Sequence, residues 1–157
     1  MTDLDHIRQI ERQLGVQVRQ VDELPYNTKG YVLNGQNQVI GLALNQCGIK
    51  RLKGIIQAVS SLVSLQTLWL RDNHIDNLEP LRSLVSLQKL SLNNNQIGDL
   101  EPLSSLVSLQ RLWLDRNQIS DLKPLSSLVS LQWGSAETRS AILSRSARWC
   151  RCIRCYL

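Results

Sequence analysis

Phenylalanine is absent from all 157 residues and methionine occurs once, although 43% of the chain is hydrophobic. Leucine therefore carries the apolar load, and so uniform an apolar alphabet points to a repetitive architecture. No apolar run approaches the ~20 residues that span a membrane, so no membrane partner is expected. The opening MTDLDHIRQI is acidic and polar, without the basic and apolar regions of a secretory leader, which makes cytoplasmic residence the expectation. Histidine is nearly absent too: His6 and His74 are the only two, and each reads as a solvated or turn residue. A nucleophile elbow, a paired metal-ligand helix and a phosphate loop of the form G-x-x-x-x-G-K-[ST] are all missing. Neither catalysis nor a cofactor is expected.

The net charge of +5 suggests nucleic acid until it is located along the chain. Residues 133–157 hold five Arg and one Glu, whereas residues 1–132 hold 13 Lys and Arg against 12 Asp and Glu. The body is close to neutral, so no specific nucleic-acid partner is expected of it.

Three stretches align without gaps: LQTLWLRDNHIDNLEPLRSLVS (65–86), LQKLSLNNNQIGDLEPLSSLVS (87–108) and LQRLWLDRNQISDLKPLSSLVS (109–130). Their period is 22 residues. A divergent earlier unit, LALNQCGIKRLKGIIQAVSSLVS, follows Gly41, and a fifth begins at Leu131 and Gln132 before the pattern stops. The repeated motif L-x-x-L-x-L-x-x-N-x-I-x-x-L-x-P-L resembles the leucine-rich repeat family, specifically its 22-residue bacterial and SDS22-like class. The resemblance implies an α/β solenoid over 41–132, with a parallel β-sheet on the concave face and short helical or 3-10 turns on the convex face.

Elementary physics leads to the same architecture. Alternation in TLWL, KLSL and RLWL sends Leu68 and Leu70, Leu90 and Leu92, and Leu112 and Leu114 to one side of short strands. Each strand is too short to bury that side alone, and stacking equal units joins the leucines into one core. Asn73, Asn95 and Asn117 fall where the chain leaves the strand, where their amides can satisfy freed backbone groups as a ladder. Cys47 holds the same place in the first unit as a small buried hydrophobe. Pro80, Pro102 and Pro124 hinder regular helix on the returning side, whereas the longer first unit leaves room for a helix at about 53–63. Asp99 and Asp121, like Glu79 and Glu101, recur at the repeat period and so serve each unit's turn.

Residues 1–40 suit an N-terminal helix-hairpin cap. Leu4, Ile7, Ile10 and Leu14 share one helical face, with Asp3 and Asp5 at the positive end of the dipole and Gly15 as the stop. Two strands are then expected around Asn34-Gly35-Gln36-Asn37. The segment IRQIERQLG…GYVLNGQNQVIGLAL resembles the lead into the repeats of bacterial Roco proteins, which carry a Ras-like GTPase domain elsewhere. That resemblance implies the repeat arm of a larger signalling protein, acting as a protein-interaction scaffold.

On such a solenoid the strand residues pointing away from the core line the concave surface. Those are Thr67, Trp69 and Arg71, Lys89, Ser91 and Asn93, and Arg111, Trp113 and Asp115. Two exposed tryptophans among Arg and Lys have the composition of an interface hot spot, which makes a protein partner the expectation.

The end of the chain, WCRCIRCYL (149–157), has the look of a metal or redox site but offers only three of the four ligands a zinc site needs. Its residues have another reading. Taking the last base of each codon with the first two of the next, residues 136–152 can spell RNQISDLKPLSSLVSL, which is the sequence of residues 116–131. Residues 133–157 are therefore expected to be the next repeat read in a shifted frame. The solenoid would then end without a C-terminal cap, leaving Leu112, Leu114, Leu125 and Leu128 short of a stacking neighbour and the last strand edge open to self-association. The gene's codons test this: they should permit the overlapped reading throughout, and one codon that forbids it overturns the idea.

Overall fold

The computed structural model describes residues 1–24, 28–128 and 130–133. Residues 133–157, expected to be read in a shifted frame and containing Cys150, Cys152 and Cys155, lie outside the described residues apart from the backbone of Trp133.

The chain opens on helix α1 (Asp3–Leu14). Thr2 caps it reciprocally with Asp5: Asp5 N–H donates to Thr2 Oγ1 (3.3 Å) and Thr2 N–H to Asp5 Oδ2 (2.8 Å). Gly15 ends it in the left-handed region at φ 65°, as the stop signal required. Ile7 and Ile10 are buried, while Leu4 and Leu14 are half-buried. Two carboxylates of this helix pin the following chain: Asp3 Oδ2 accepts from Val39 N–H (2.7 Å) and Glu11 Oε1 from Val18 N–H (2.7 Å).

Among the described residues seven strands follow in one sheet, in chain order: β1 (Arg19–Gln20), β2 (Lys29–Leu33), β3 (Val39–Leu44), β4 (Thr67–Trp69), β5 (Lys89–Ser91), β6 (Arg111–Trp113) and β7 (Gln132–Trp133). Only β2 and β3 pair antiparallel; every other neighbouring pair is parallel. The hairpin turn is fixed by Asn34, whose Oδ1 accepts from Gln36 N–H (2.9 Å) and Gln38 N–H (3.0 Å). Strand β3 closes the hairpin and also starts the repeat sheet, so cap and repeats share one sheet and one core. The parallel strand β1 was not foreseen, because two exposed residues carry no pattern.

Parallel register places Leu42, Leu68, Leu90 and Leu112 side by side, each no more than 1% exposed. At the turn off each strand one residue has a positive φ of 54–56°: Gln46, Asp72, Asn94 and Arg116. None is glycine, so the conformation needs compensation. Part of it comes from the backbone, where N–H of Gln46, Asp72 and Asn94 donates to Arg71, Asn93 and Asp115 carbonyls of the next unit at 2.8–3.0 Å.

The asparagine ladder supplies the rest. Asn95 Oδ1 accepts from Ile75 N–H (3.0 Å) while its Nδ2 donates to the carbonyls of Leu70 (3.0 Å) and Leu92 (2.9 Å). Asn73 and Asn117 repeat the pattern, with Asn73 Oδ1 accepting from Cys47 N–H (3.1 Å) and Ile49 N–H (3.0 Å) and Asn117 Oδ1 from Ile97 N–H (3.1 Å). Each amide therefore ties its own turn to the unit before it. Cys47 stands at the head of the row but is half-buried rather than buried, its Sγ lying 3.5 Å from Asn45 O. A thiol is too short to bridge to the hairpin, so the ladder starts at Asn73.

The convex side returns through 3-10 turns Glu79–Ser83, Glu101–Ser105 and Lys123–Ser127, each with its proline in the first turn. Asn77, Asp99 and Asp121 accept from the N–H two residues on at 2.8–2.9 Å, which is the turn role expected of the periodic aspartates. The helix expected at 53–63 is broken into a 3-10 turn, Leu52–Gly54, and a short helix α2 (Ile56–Ser60). Packing of Leu52, Ile55, Val59 and Leu62 into the core shapes this stretch more than helical propensity does. Serines link the convex turns: Ser60 and Ser83 hydroxyls lie 3.0 Å apart, and Ser105 Oγ donates to Arg82 O (3.2 Å).

At the C-terminal end β7 pairs with β6, and Leu112, Leu114, Leu125 and Leu128 are all buried at 1–4% exposure. The shortage of neighbours expected for these four leucines is not seen, although Ile119 and Leu122 are half-buried where their equivalents Ile97 and Leu100 are 0% and 1% exposed. Leu92, with 0% exposure at the centre of the stack, is the sharpest probe of the core. Leu92→Ala should lower unfolding free energy by roughly 2–5 kcal/mol in a denaturant melt; an unchanged midpoint contradicts the stacking account.

Candidate functional site

The concave surface is built by register. Thr67, Lys89 and Arg111 form one row across β4, β5 and β6, and Trp69, Ser91 and Trp113 form the next. Arg71, Asn93 and Asp115 continue the three chains past their strands. The first unit's matching positions are Gly41, Ala43 and Asn45. A Cβ at Gly41 would sit 2.9 Å from Leu24 Cδ1, so the cap packs over that position and the open face begins at β4.

The tryptophans are half-buried, less exposed than a strand-face reading suggests. Small neighbours explain this: Ala43 and Ser91, at 0% and 6% exposure, flank Trp69 in register, and Ser91 flanks Trp113. A cavity of about 140 Å³ opens between the indoles, lined by Asn45, Trp69, Arg71, Ser91 and Trp113.

Asn93 does different work from its row-mates. It is 7% exposed, and its Oδ1 accepts from Asp115 N–H (2.8 Å). Asn45 does the same for Arg71 N–H (2.9 Å), forming a second amide series one turn ahead of the first. Neither role is visible from spacing, because Arg71 and Asp115 hold the equivalent places in the other units.

The rim beside the cavity is a polar network the sequence did not single out. Arg71 Nε meets Asp72 Oδ2 at 3.0 Å, while Asp72 also accepts from Asn94 Nδ2 (2.6 Å) and Gln46 Nε2 (3.3 Å). Burial pushes the Asp72 carboxyl up, but the hydrogen bonds from Asn94 and Gln46 and the charges of Arg71 and Arg116 outweigh it and hold the group below its usual range. Gln46, Asp72, Asn94 and Arg116 are the positive-φ residues of successive units, so the turn geometry itself brings them into a line.

The remaining chemical groups lie apart from this face. His74 is exposed on the turn after β4, and His6 is half-buried on α1. Burial raises the Cys47 thiol above its ordinary pKa, against the opposing charge of Lys29, which keeps it protonated at neutral pH. Among the described residues no helix is long and apolar enough to cross a membrane.

Comparison with known proteins places the repeats. Residues 85–131 match the family described as Leucine Rich repeats (2 copies). No curated protein is similar to the chain in sequence. Among solved structures, internalin C2 from Listeria monocytogenes is 28% identical with a TM-score of 0.50, over 71% of this chain and 63% of its own. A leucine-rich-repeat protein from Leptospira interrogans is 27% identical with a TM-score of 0.52, over 68% of this chain and 29% of its own. The ectodomain of the receptor kinase GASSHO1/SCHENGEN3 from Arabidopsis thaliana shares the fold alone, at 21% identity and a TM-score of 0.57 over 85% of this chain and 17% of its own. This chain thus spans less than two thirds of each. With a parallel strand, an asparagine turn and a 3-10 return in each of the three gapless units, 65–130, the repeat region has the leucine-rich-repeat solenoid fold.

Proposed function

We propose that the chain is a protein-interaction module whose concave face, from Thr67 to Asp115, makes the contact. The observation that carries this reading is the row Trp69–Ser91–Trp113, which sets two indoles on one face around a cavity. Tryptophan and arginine are the residues most enriched at binding hot spots, and both are concentrated here. Leucine-rich-repeat folds commonly mediate protein–protein interaction. The Arabidopsis ectodomain, for one, was solved in complex with Casparian strip integrity factor 2. Proteins of this fold are typically scaffolds, and no catalytic step is assigned to this one.

The finer reading is the repeat arm of a bacterial, Roco-like signalling protein, with repeats of the 22-residue class and a cytoplasmic site of action. It rests on the cap segment IRQIERQLG…GYVLNGQNQVIGLAL and on the three gapless units. Affinity capture with the immobilised chain, followed by binding measurements on each captured protein, tests the face. Trp69→Ala or Trp113→Ala should weaken a true partner by at least about tenfold. If both variants bind every partner as the wild type does, the concave-face reading is wrong.

A further inference from the structure

The cavity between the indoles has a definite size and a definite electrical setting. Trp69 and Trp113 stand two strands apart, roughly 9.6 Å at the usual strand spacing. Ser91, buried between them, forms the floor, and Arg71 and Asn45 complete the lining. The cavity is a half-open groove, and its volume of about 140 Å³ is of the same size as the ~150 Å³ of a closed apolar cavity that holds benzene. That volume suits one large apolar side chain, and both indoles in the lining offer it apolar surface.

The neighbouring row supplies the charge. Lys89 and Arg111 are direct register partners on β5 and β6. Like charges set opposite one another across two strands repel. Among the described residues neither side chain has an ion pair to offset this. On the other side of the cavity, Arg71 is already matched by Asp72 at 3.0 Å. An anion is therefore favoured beside Lys89 and Arg111 and not beside Arg71. On a strand, residues of one face two apart are ~6.6–6.8 Å apart, about the reach between a peptide side chain and its next neighbours.

Resting on the reading of the concave face given above, we infer that the slot between Trp69 and Trp113 receives one large apolar side chain, aromatic or Leu-like, of an acidic peptide segment whose carboxylates meet Lys89 and Arg111. The chain's own residues 134–157 are a poor occupant, since five Arg against one Glu would be repelled by that row. A nucleobase could also fill the slot, and a single-stranded oligonucleotide is therefore one arm of the test.

The test uses short probes and the indole N–H signals of Trp69 and Trp113 in 1H–15N spectra, picked out from those of the chain's four tryptophans through Trp69→Phe and Trp113→Phe. Acetyl-Glu-Phe-Glu-amide should shift both signals, and added salt should weaken it. Replacing Phe with Ala in the probe should weaken binding about ten- to a hundredfold, and acetyl-Lys-Phe-Lys-amide should bind more weakly still. Ser91→Leu, which fills the slot, should abolish the shifts. Lys89→Gln with Arg111→Gln, two surface changes, should weaken the acidic probe and remove its salt dependence. The inference is overturned if the Ala probe or the Lys probe binds as well as Glu-Phe-Glu, or if oligothymidylate shifts the same indoles at lower concentration. It is overturned as well if no peptide moves either signal while Trp69→Ala still loses captured partners, and in that case the wider reading of the face stands.

Discussion

Everything in this molecule depends on a primary amide placed where the chain leaves each strand. A 22-residue unit has to turn sharply at that point, and the turn buries backbone N–H and C=O groups that no sheet or helix can pair. Such groups are costly if left unmet. Asn73, Asn95 and Asn117 meet them with one acceptor and two donors apiece, and in doing so link each unit to the one before. A carboxylate could not donate and a thiol could not reach, which is why Cys47 serves only at the end where no earlier unit needs a bridge.

The site follows from that constraint. Because the amides fix the offset between neighbouring units, equivalent residues fall in register and the concave face becomes a grid. Trp69 and Trp113 can then share a cavity over Ser91, and Lys89 and Arg111 stand side by side, though each pair is far apart in sequence. The same offset aligns the positive-φ residues, so that Asp72 collects hydrogen bonds from both neighbours and an ion pair from Arg71. The cap contributes by closing the first concave position with Leu24.

Much of this was legible in the sequence because a repeat states each structural demand several times. Leucine spacing predicted the strands and the core, and the recurring Asn predicted the ladder. Features stated once were lost: the two-residue β1, and the amides of Asn45 and Asn93, which act at a place where other units carry Arg or Asp. Ser60, Ser83, Ser105 and Ser127 did recur, but a hydroxyl gives no sign of whether it faces solvent or the next turn. Periodicity also failed to rank apolar residues. Val63, Val85 and Val107 are 73%, 50% and 63% exposed, although each lies between two buried or half-buried stack positions. The degree of tryptophan burial depended on the size of cross-strand neighbours, which only the register reveals.

Asn95 is the most direct test of the governing role of the amide ladder, since it bridges the two central units through Ile75 N–H and the carbonyls of Leu70 and Leu92. Native-state hydrogen exchange on Asn95→Ala, read at the Ile75 amide alongside a denaturant melt, measures that bridge. The account predicts that Ile75 loses its protection and that stability falls by about 1–3 kcal/mol or more, since several buried groups lose partners together. Protection at Ile75 and a melt equal to those of the wild type would contradict it.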